Sequence, residues 1–169
     1  NANSAYNFDG VDDYITVSDD SLLNPSCLTI SAWVNSSADA TNVQSGAHGI
    51  VTKWYQQNNC GLLGDNYNVC LTQQNGTSVL VGSTIANSQV TTSLSSVNNV
   101  IGLNSWHHIV FVHNPSNGQK LFVDDSLIGF NNLLGNLCIT TNDLIFGADN
   151  FAGNIWRFFQ GSIDDIGIW

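Results

Sequence analysis

Short runs of β-branched and aromatic residues recur along the whole chain, separated by clusters of Asn, Asp, Gly and Ser, and no segment sustains the 3.6-residue spacing of an amphipathic helix. That pattern leads to an all-β fold, a two-sheet antiparallel sandwich or a barrel. The clearest run is Leu28–Val34, where Leu28, Ile30, Ala32 and Val34 alternate with Thr29, Ser31 and Trp33. Such alternation places one set of side chains on a buried face. Tyr14–Val17, Ile50–Trp54, Val69–Thr72, Trp106–Val112, Lys120–Val123, Leu127–Phe130, Leu144–Gly147 and Gly161–Trp169 read as further strands. Ser78–Val81 and Val90–Leu94 are weaker strand signals, and Ser36–His48 and Gly82–Asn104 read as loops or weak edge strands. With no linker and no repeat, residues 1–169 are expected to form one domain, a length that can bury a sizeable core. The chain begins at Asn1 and contains no Met, so it reads as a segment of a larger, processed protein.

Charge is sparse and one-sided. Lys53, Lys120 and Arg157 face thirteen acids, all of them Asp, for a formal net charge of −10. Binding to nucleic acid needs a basic footprint to release counterions, and none is present. No apolar run approaches the length of a membrane helix, so membrane insertion is not expected. Cys60 and Cys70 bracket a Gly/Asp/Asn-rich stretch suited to a hairpin clipped by a disulfide, which leaves Cys27 and Cys138 as a second pair; four free thiols are the rival reading. Adjacent His107 and His108 point to opposite faces of a strand, and with His48 and His113 they make no metal-spaced set, so all four are read as structural. Asn35-Ser36-Ser37 and Asn75-Gly76-Thr77 have the form of N-glycosylation acceptors.

Five segments carry a resemblance in the same order along the chain. Phe8-Asp9-Gly10-Val11-Asp12-Asp13-Tyr14, Leu28–Val34, Trp106-His107-His108-Ile109, Leu121-Phe122-Val123-Asp124 and Phe159-Gln160-Gly161-Ser162-Ile163-Asp164-Asp165-Ile166 are similar to motifs of the laminin-G-like/pentraxin-like domains of the concanavalin A-like lectin/glucanase superfamily. The chain departs from that pattern at Asp125, where the family has Gly; Asp tolerates the same left-handed turn geometry. Tyr55–Leu103 matches no motif. The resemblance implies a concanavalin A-like jelly roll with its first and last strands adjacent. It also implies a carbohydrate-binding or adhesive module of an extracellular, multidomain protein, often with bound calcium.

If the terminal strands are neighbours, Asp9, Gly10, Asp12, Asp164 and Asp165 are expected to converge on a structural Ca²⁺, whose coordination shell takes hard oxygens from irregular acidic turns. The rival reading is that these aspartates cap turns through bonds to local backbone N–H groups. Asp149-Asn150 with Asp65-Asn66 forms a weaker second possibility. Sugar binding needs aromatic rings in polar loops, which singles out Trp54, Tyr55, Asp65, Asn66, Tyr67, Asn150, Phe151 and Trp156, with Trp54 and Trp156 as the main platforms. Trp33 and Trp106 lie within strands and are assigned to structure. Glycoside hydrolysis on this fold uses two carboxylates placed on a strand, but the chain has no Glu and its Asp residues cluster in turns, so no enzyme is expected. The sequence therefore reads as a non-catalytic, lectin-like module of a secreted or cell-surface protein. Its partners are a glycan or polysaccharide and the other domains of the parent protein. A protein-binding or spacer domain of an adhesin is the alternative, and a glycoside hydrolase the least favoured reading.

Overall fold

The computed structural model describes residues 4–42, 46–55, 66–86, 90–96, 99–132 and 134–169. Its strands are β1 (Tyr6–Asp9), β2 (Ile15–Val17), β3 (Leu28–Ser36), β4 (Ala47–Lys53), β5 (Tyr67–Gln74), β6 (Thr77–Ala86), β7 (Val90–Ser95), β8 (His107–Asn114), β9 (Gly118–Val123), β10 (Ser126–Asn131), β11 (Leu144–Phe146), β12 (Asp149–Phe151), β13 (Asn154–Trp156) and β14 (Gln160–Ile168). Short 3₁₀ turns at Ser21–Leu23 and Ala40–Asn42 are the only helical pieces among the described residues. The strands form two antiparallel sheets in the orders β1-β14-β3-β8-β9-β10 and β2-β11-β4-β5-β6-β7, with β12-β13 as a separate hairpin. This is the expected β-sandwich.

The period-2 alternation builds the core directly. Leu28, Ile30, Ala32 and Val34 of β3 join Ile109 and Phe111 of β8 and Ile163 of β14 on the inner face of the first sheet. Opposite them stand Val51 of β4, Tyr67, Val69 and Leu71 of β5, and Leu80 of β6. A close approach explains Gly82: a Cβ there would lie 2.4 Å from the Phe111 ring.

The second sheet is covered on its outer face as well. All of β4 is buried, and Trp54, Ile85 and Cys138 form a small outer cluster. This layer corrects several expectations. Trp54 is 6% exposed and Tyr67 and Asn66 are 0% exposed, so none of the three offers a surface to a ligand. Tyr67 is drawn inward because it shares the strand parity of Val69 and Leu71. Asp65 lies outside the described residues.

The cysteine pairing is also corrected. Cys27 and Cys70 are free thiols, so neither Cys60–Cys70 nor Cys27–Cys138 forms. Cys60 lies outside the described residues. Burial pushes the Cys70 thiol up to about 12, which leaves it inert.

His113 is fully buried in β8; its Nε2 lies 2.9 Å from the Gly135 carbonyl, which accepts its N–H, so Nδ1 is unprotonated and has no partner among the described residues. Burial lowers the His113 pKa from 6.5, against a smaller opposing effect of the Gly135 carbonyl. A folded-state pKa below the unfolded one means that the unfolded chain takes up the proton first. The contribution of His113 is therefore fully present above 6.5 and is lost as pH falls through the lower, folded value. Urea midpoints are expected to fall between pH 7.5 and pH 5, and His113→Gln should flatten that slope. An unchanged slope in the variant would remove His113 from the account.

Candidate functional site

The first sheet leaves its outer face in solvent, and the register of three strands assembles one row across it. Trp33 of β3 pairs with His108 of β8 on one side and with Asp164 of β14 on the other. Neighbouring strands stand about 4.8 Å apart, so the three side chains emerge as a contiguous group. The Trp33 and His108 rings lie 5.1 Å apart between centroids and tilt by 33°. His108 is held in place by Ser31 Oγ at 2.9 Å from its Nε2.

Asp124 anchors the start of β8. Its Oδ2 lies 2.7 Å from His107 Nδ1 and its Oδ1 accepts the His108 backbone N–H at 2.9 Å. Slight burial would raise the Asp124 pKa, but the His107 side chain and the His108 N–H outweigh it and hold the carboxyl below the usual range. This clamp positions Trp106, the residue before β8. Trp106 is 43% exposed and Trp33 is 41% exposed, so both indoles assigned to structure from the sequence are open to solvent.

A register shift in the β14–β3 pairing falls between Asp164 and Gly167, and Asp165 takes a positive φ of 46°. This bulge re-aims the chain, and the Asp165 N–H donates to Asp164 Oδ1 at 2.9 Å. Trp33, Trp106, Asp164 and Asp165 line a cleft of about 340 Å³. The same two aspartates also border a second hollow of about 240 Å³, with Tyr6, Ile15, Phe146 and Ile166. The aspartate pair is thus the lip between two adjoining hollows, each with aromatic walls. Chemically, the main cleft offers two indole faces for an apolar ring surface and carboxylates that accept strong hydrogen bonds.

The expected calcium set divides. β1 and β14 are adjacent and antiparallel, as the first and last strands were expected to be, but Asp9 pairs with Gln160. Asp164 lies four residues further along β14, at about 3.3 Å per residue roughly 13 Å away. Asp9, Gly10 and Asp12 therefore sit at one end of the pairing, and Asp164 and Asp165 beyond the other. What gathers at the first end is Asp9, Asp12 and Asp13, with one carboxylate oxygen of each within 4.8 Å of the others. The chemistry of these hard, exposed oxygens fits a calcium ion. The turn is also internally bonded: Asp9 Oδ1 accepts the Val11 N–H at 2.7 Å, and Asp13 Oδ2 accepts the Asp9 N–H at 3.1 Å. The Val11 bond, foremost, holds the Asp9 carboxyl below its ordinary range.

The remaining aromatic candidates meet on the β12–β13 hairpin. Phe151 and Trp156 lie 5.4 Å apart, and the Arg157 guanidinium stacks 4.4 Å from the Trp156 centroid. Asn150 Oδ1 accepts the Gly153 N–H at 2.9 Å, and the Tyr55 carbonyl accepts the Ala152 N–H at 3.2 Å. Arg157 is in turn bonded to buried Asp149 at 3.2 Å. Trp156 is thus stacked on residues of its own chain, while Phe151 is 45% exposed.

A family model described as the concanavalin A-like lectin/glucanases superfamily matches residues 9–169. The chain belongs to that superfamily. No curated protein sequence matches it. Its fold is similar to the receptor-binding domain of botulinum neurotoxin D, with a TM-score of 0.67 and 18% identity over 99% of this chain and 41% of that one. It is also similar to the CBM40 of a Ruminococcus gnavus IT-sialidase bound to α2,3-sialyllactose, with a TM-score of 0.70 and 10% identity over 99% of this chain and 89% of the module. A third is the ligand-binding domain of botulinum neurotoxin D in complex with N-acetylneuraminic acid, with a TM-score of 0.63 and 17% identity over 93% of this chain and 36% of that one. The chain therefore spans about two fifths of the neurotoxin domains. These neighbours are binding domains. No helix among the described residues is long and apolar enough to cross a membrane.

Proposed function

We propose that this domain is a non-catalytic carbohydrate-binding module of a secreted or cell-surface protein, and that it binds its glycan in the Trp33–Trp106 cleft. The observation that carries this reading is the pair of half-exposed indoles lining one cleft of about 340 Å³ beside two carboxylates. Large apolar rings exposed beside polar acceptors suit a pyranose, whose apolar face stacks while its hydroxyls donate. Strand pairing fixes Trp33 and Asp164 before any ligand arrives, which reduces the ordering that binding requires. The solved neighbours bound to sialylated ligands support the same use of the fold.

A hydrolase needs carboxylates on both sides of a scissile bond. Among the described residues lining this cleft, the carboxylates are consecutive and share one lip, which supports the non-catalytic reading. In this reading calcium binds the Asp9–Asp13 turn, where Asp9, Asp12 and Asp13 would hold it and brace the end of β1. Its role is structural.

The test is a glycan array followed by calorimetry on the wild type, Trp106→Ala and Trp156→Ala. Trp106→Ala is expected to weaken binding by about 2 kcal/mol, roughly thirtyfold. Trp156→Ala should leave affinity near wild type. A chelator should lower the melting temperature by about 5 °C and leave glycan affinity intact. No binding across the array would replace this reading with the spacer, and identical melting with and without calcium would remove the ion.

A further inference from the structure

We propose that the glycan taken by the Trp33–Trp106 cleft carries a free amine, so that the module recognises a cationic amino-sugar chain and discriminates against acidic sugars. This rests on the carbohydrate-binding reading above and adds the charge class of the ligand. Four observations carry it.

The first is the unbalanced lip. Asp164 and Asp165 border both hollows, and no ion pair involves either among the described residues. The second is that the chain has little with which to balance them. Of its three basic residues, Lys53 is buried on Asp19 and Arg157 is bonded to Asp149. Lys120 lies on β9, paired with Val112 of β8 and Phe130 of β10, away from the β14 lip. The two histidines nearest the site are engaged, His107 by Asp124 and His108 by Ser31.

The third is the wall chemistry. Indole faces attract cations through the ring quadrupole, and carboxylates accept short, charge-assisted hydrogen bonds from ammonium groups. Two indoles and two carboxylates in one cleft thus favour a ligand that joins an apolar ring face to a positive charge. A sugar carboxylate placed there would meet like charges, on a protein whose formal net charge is −10. The fourth is shape. The hollows of about 340 and 240 Å³ adjoin across the aspartate lip, which offers room for successive rings along a chain rather than for an isolated headgroup. On this account the module differs in ligand charge from the structural neighbours solved with sialylated ligands.

The test compares glucosamine oligomers with their N-acetylated counterparts of equal length, sialyllactose, and choline alone, by calorimetry at a pH where the amine is protonated. The free-amine oligomer is expected to bind at least tenfold more tightly than the acetylated one, with the preference shrinking as salt rises. The double variant Asp164→Asn/Asp165→Asn should bring that ratio close to one, chiefly by weakening the free-amine oligomer. Asn tolerates the positive φ at 165, so the bulge can persist, and a melting curve checks this. Equal or tighter binding of acetylated or sialylated glycans, abolished by Trp33→Ala, would overturn the charge assignment and keep the carbohydrate reading. Choline binding as tight as the oligomer would also overturn it, since the sugar would then contribute nothing. Failure of every glycan to bind would bring down both.

Discussion

Asp19→Ala is expected to destabilise the fold by about 3 kcal/mol or more, and by more than Lys53→Met does. Lys53 is 0% exposed in β4, and its Nζ donates to Asp19 Oδ1 at 2.5 Å and to the Asn142 carbonyl. An ammonium sealed from water is tolerated only while its partners stay in place. Among the described residues, removing Asp19 leaves that cation buried with the neutral Asn142 carbonyl as its acceptor, and it also takes away the carboxylate that accepts from Asn24 Nδ2. Removing Lys53 is the milder change. Methionine fills much of the same volume, and the Asp19 side chain is 26% exposed, so water can solvate the carboxylate left behind. Stability of a domain this size is about 5–15 kcal/mol, so the Asp19 change removes a large share of it. Denaturant midpoints for the two variants give the order. A larger loss for Lys53→Met would mean that the contacts of the lysine, rather than the burial of its charge, dominate at this position.

Where the core follows from alternation, it was legible in the sequence. Leu28, Ile30, Ala32 and Val34 occupy the positions that a period of two assigns to them. β1 gives no strand signal because only Phe8 faces inward; Tyr6, Asn7 and Asp9 are exposed, so no periodic pattern exists. β6 carries Gly82, Ser83 and Thr84, residues that read as a loop or weak edge strand, yet Gly82 is required by the Phe111 ring. The exposure of Trp33 escapes a reading of the sequence for a different reason. Strand tryptophans usually pack, which argues for a structural Trp33, although the same alternation that buries Ala32 and Val34 turns Trp33 outward. Parity was the available signal, and it outranks propensity on a strand with one wet face. Trp54 and Tyr67 erred in the opposite direction. Their Asn and Gln neighbours suggested exposed loops, but the second sheet is covered on both faces, a fact set by tertiary packing. The adjacency of the chain ends followed from the resemblance, whereas the pairing of Asp9 with Gln160 depends on register, which no local motif encodes.

That register also identifies the glycine on which the site depends. Gly161→Ala is expected to cost about 3 kcal/mol or more and to abolish glycan binding in whatever fraction still folds. Gly161 has φ +143°, a region that side chains rarely enter. A Cβ there would lie 2.1 Å from the Asn35 carbonyl oxygen and 3.0 Å from Ser36 Cα, so the clash is with the backbone of β3 and no rotamer relieves it. β14 would have to move away from β3. The same strand pair carries the register from Gly161↔Ser36 to Asp164↔Trp33, so the movement separates the carboxylate lip from the indole platform. Gly76→Ala provides the comparison: φ is +79° and nothing lies within 4 Å, so only the backbone penalty of about 1 kcal/mol applies. Melting curves and glycan titrations of both variants separate the two effects. A Gly161→Ala protein that melts with Gly76→Ala and still binds would show that β14 can shift without carrying Asp164 away from Trp33, and the cleft would then owe its geometry to something other than this strand pairing.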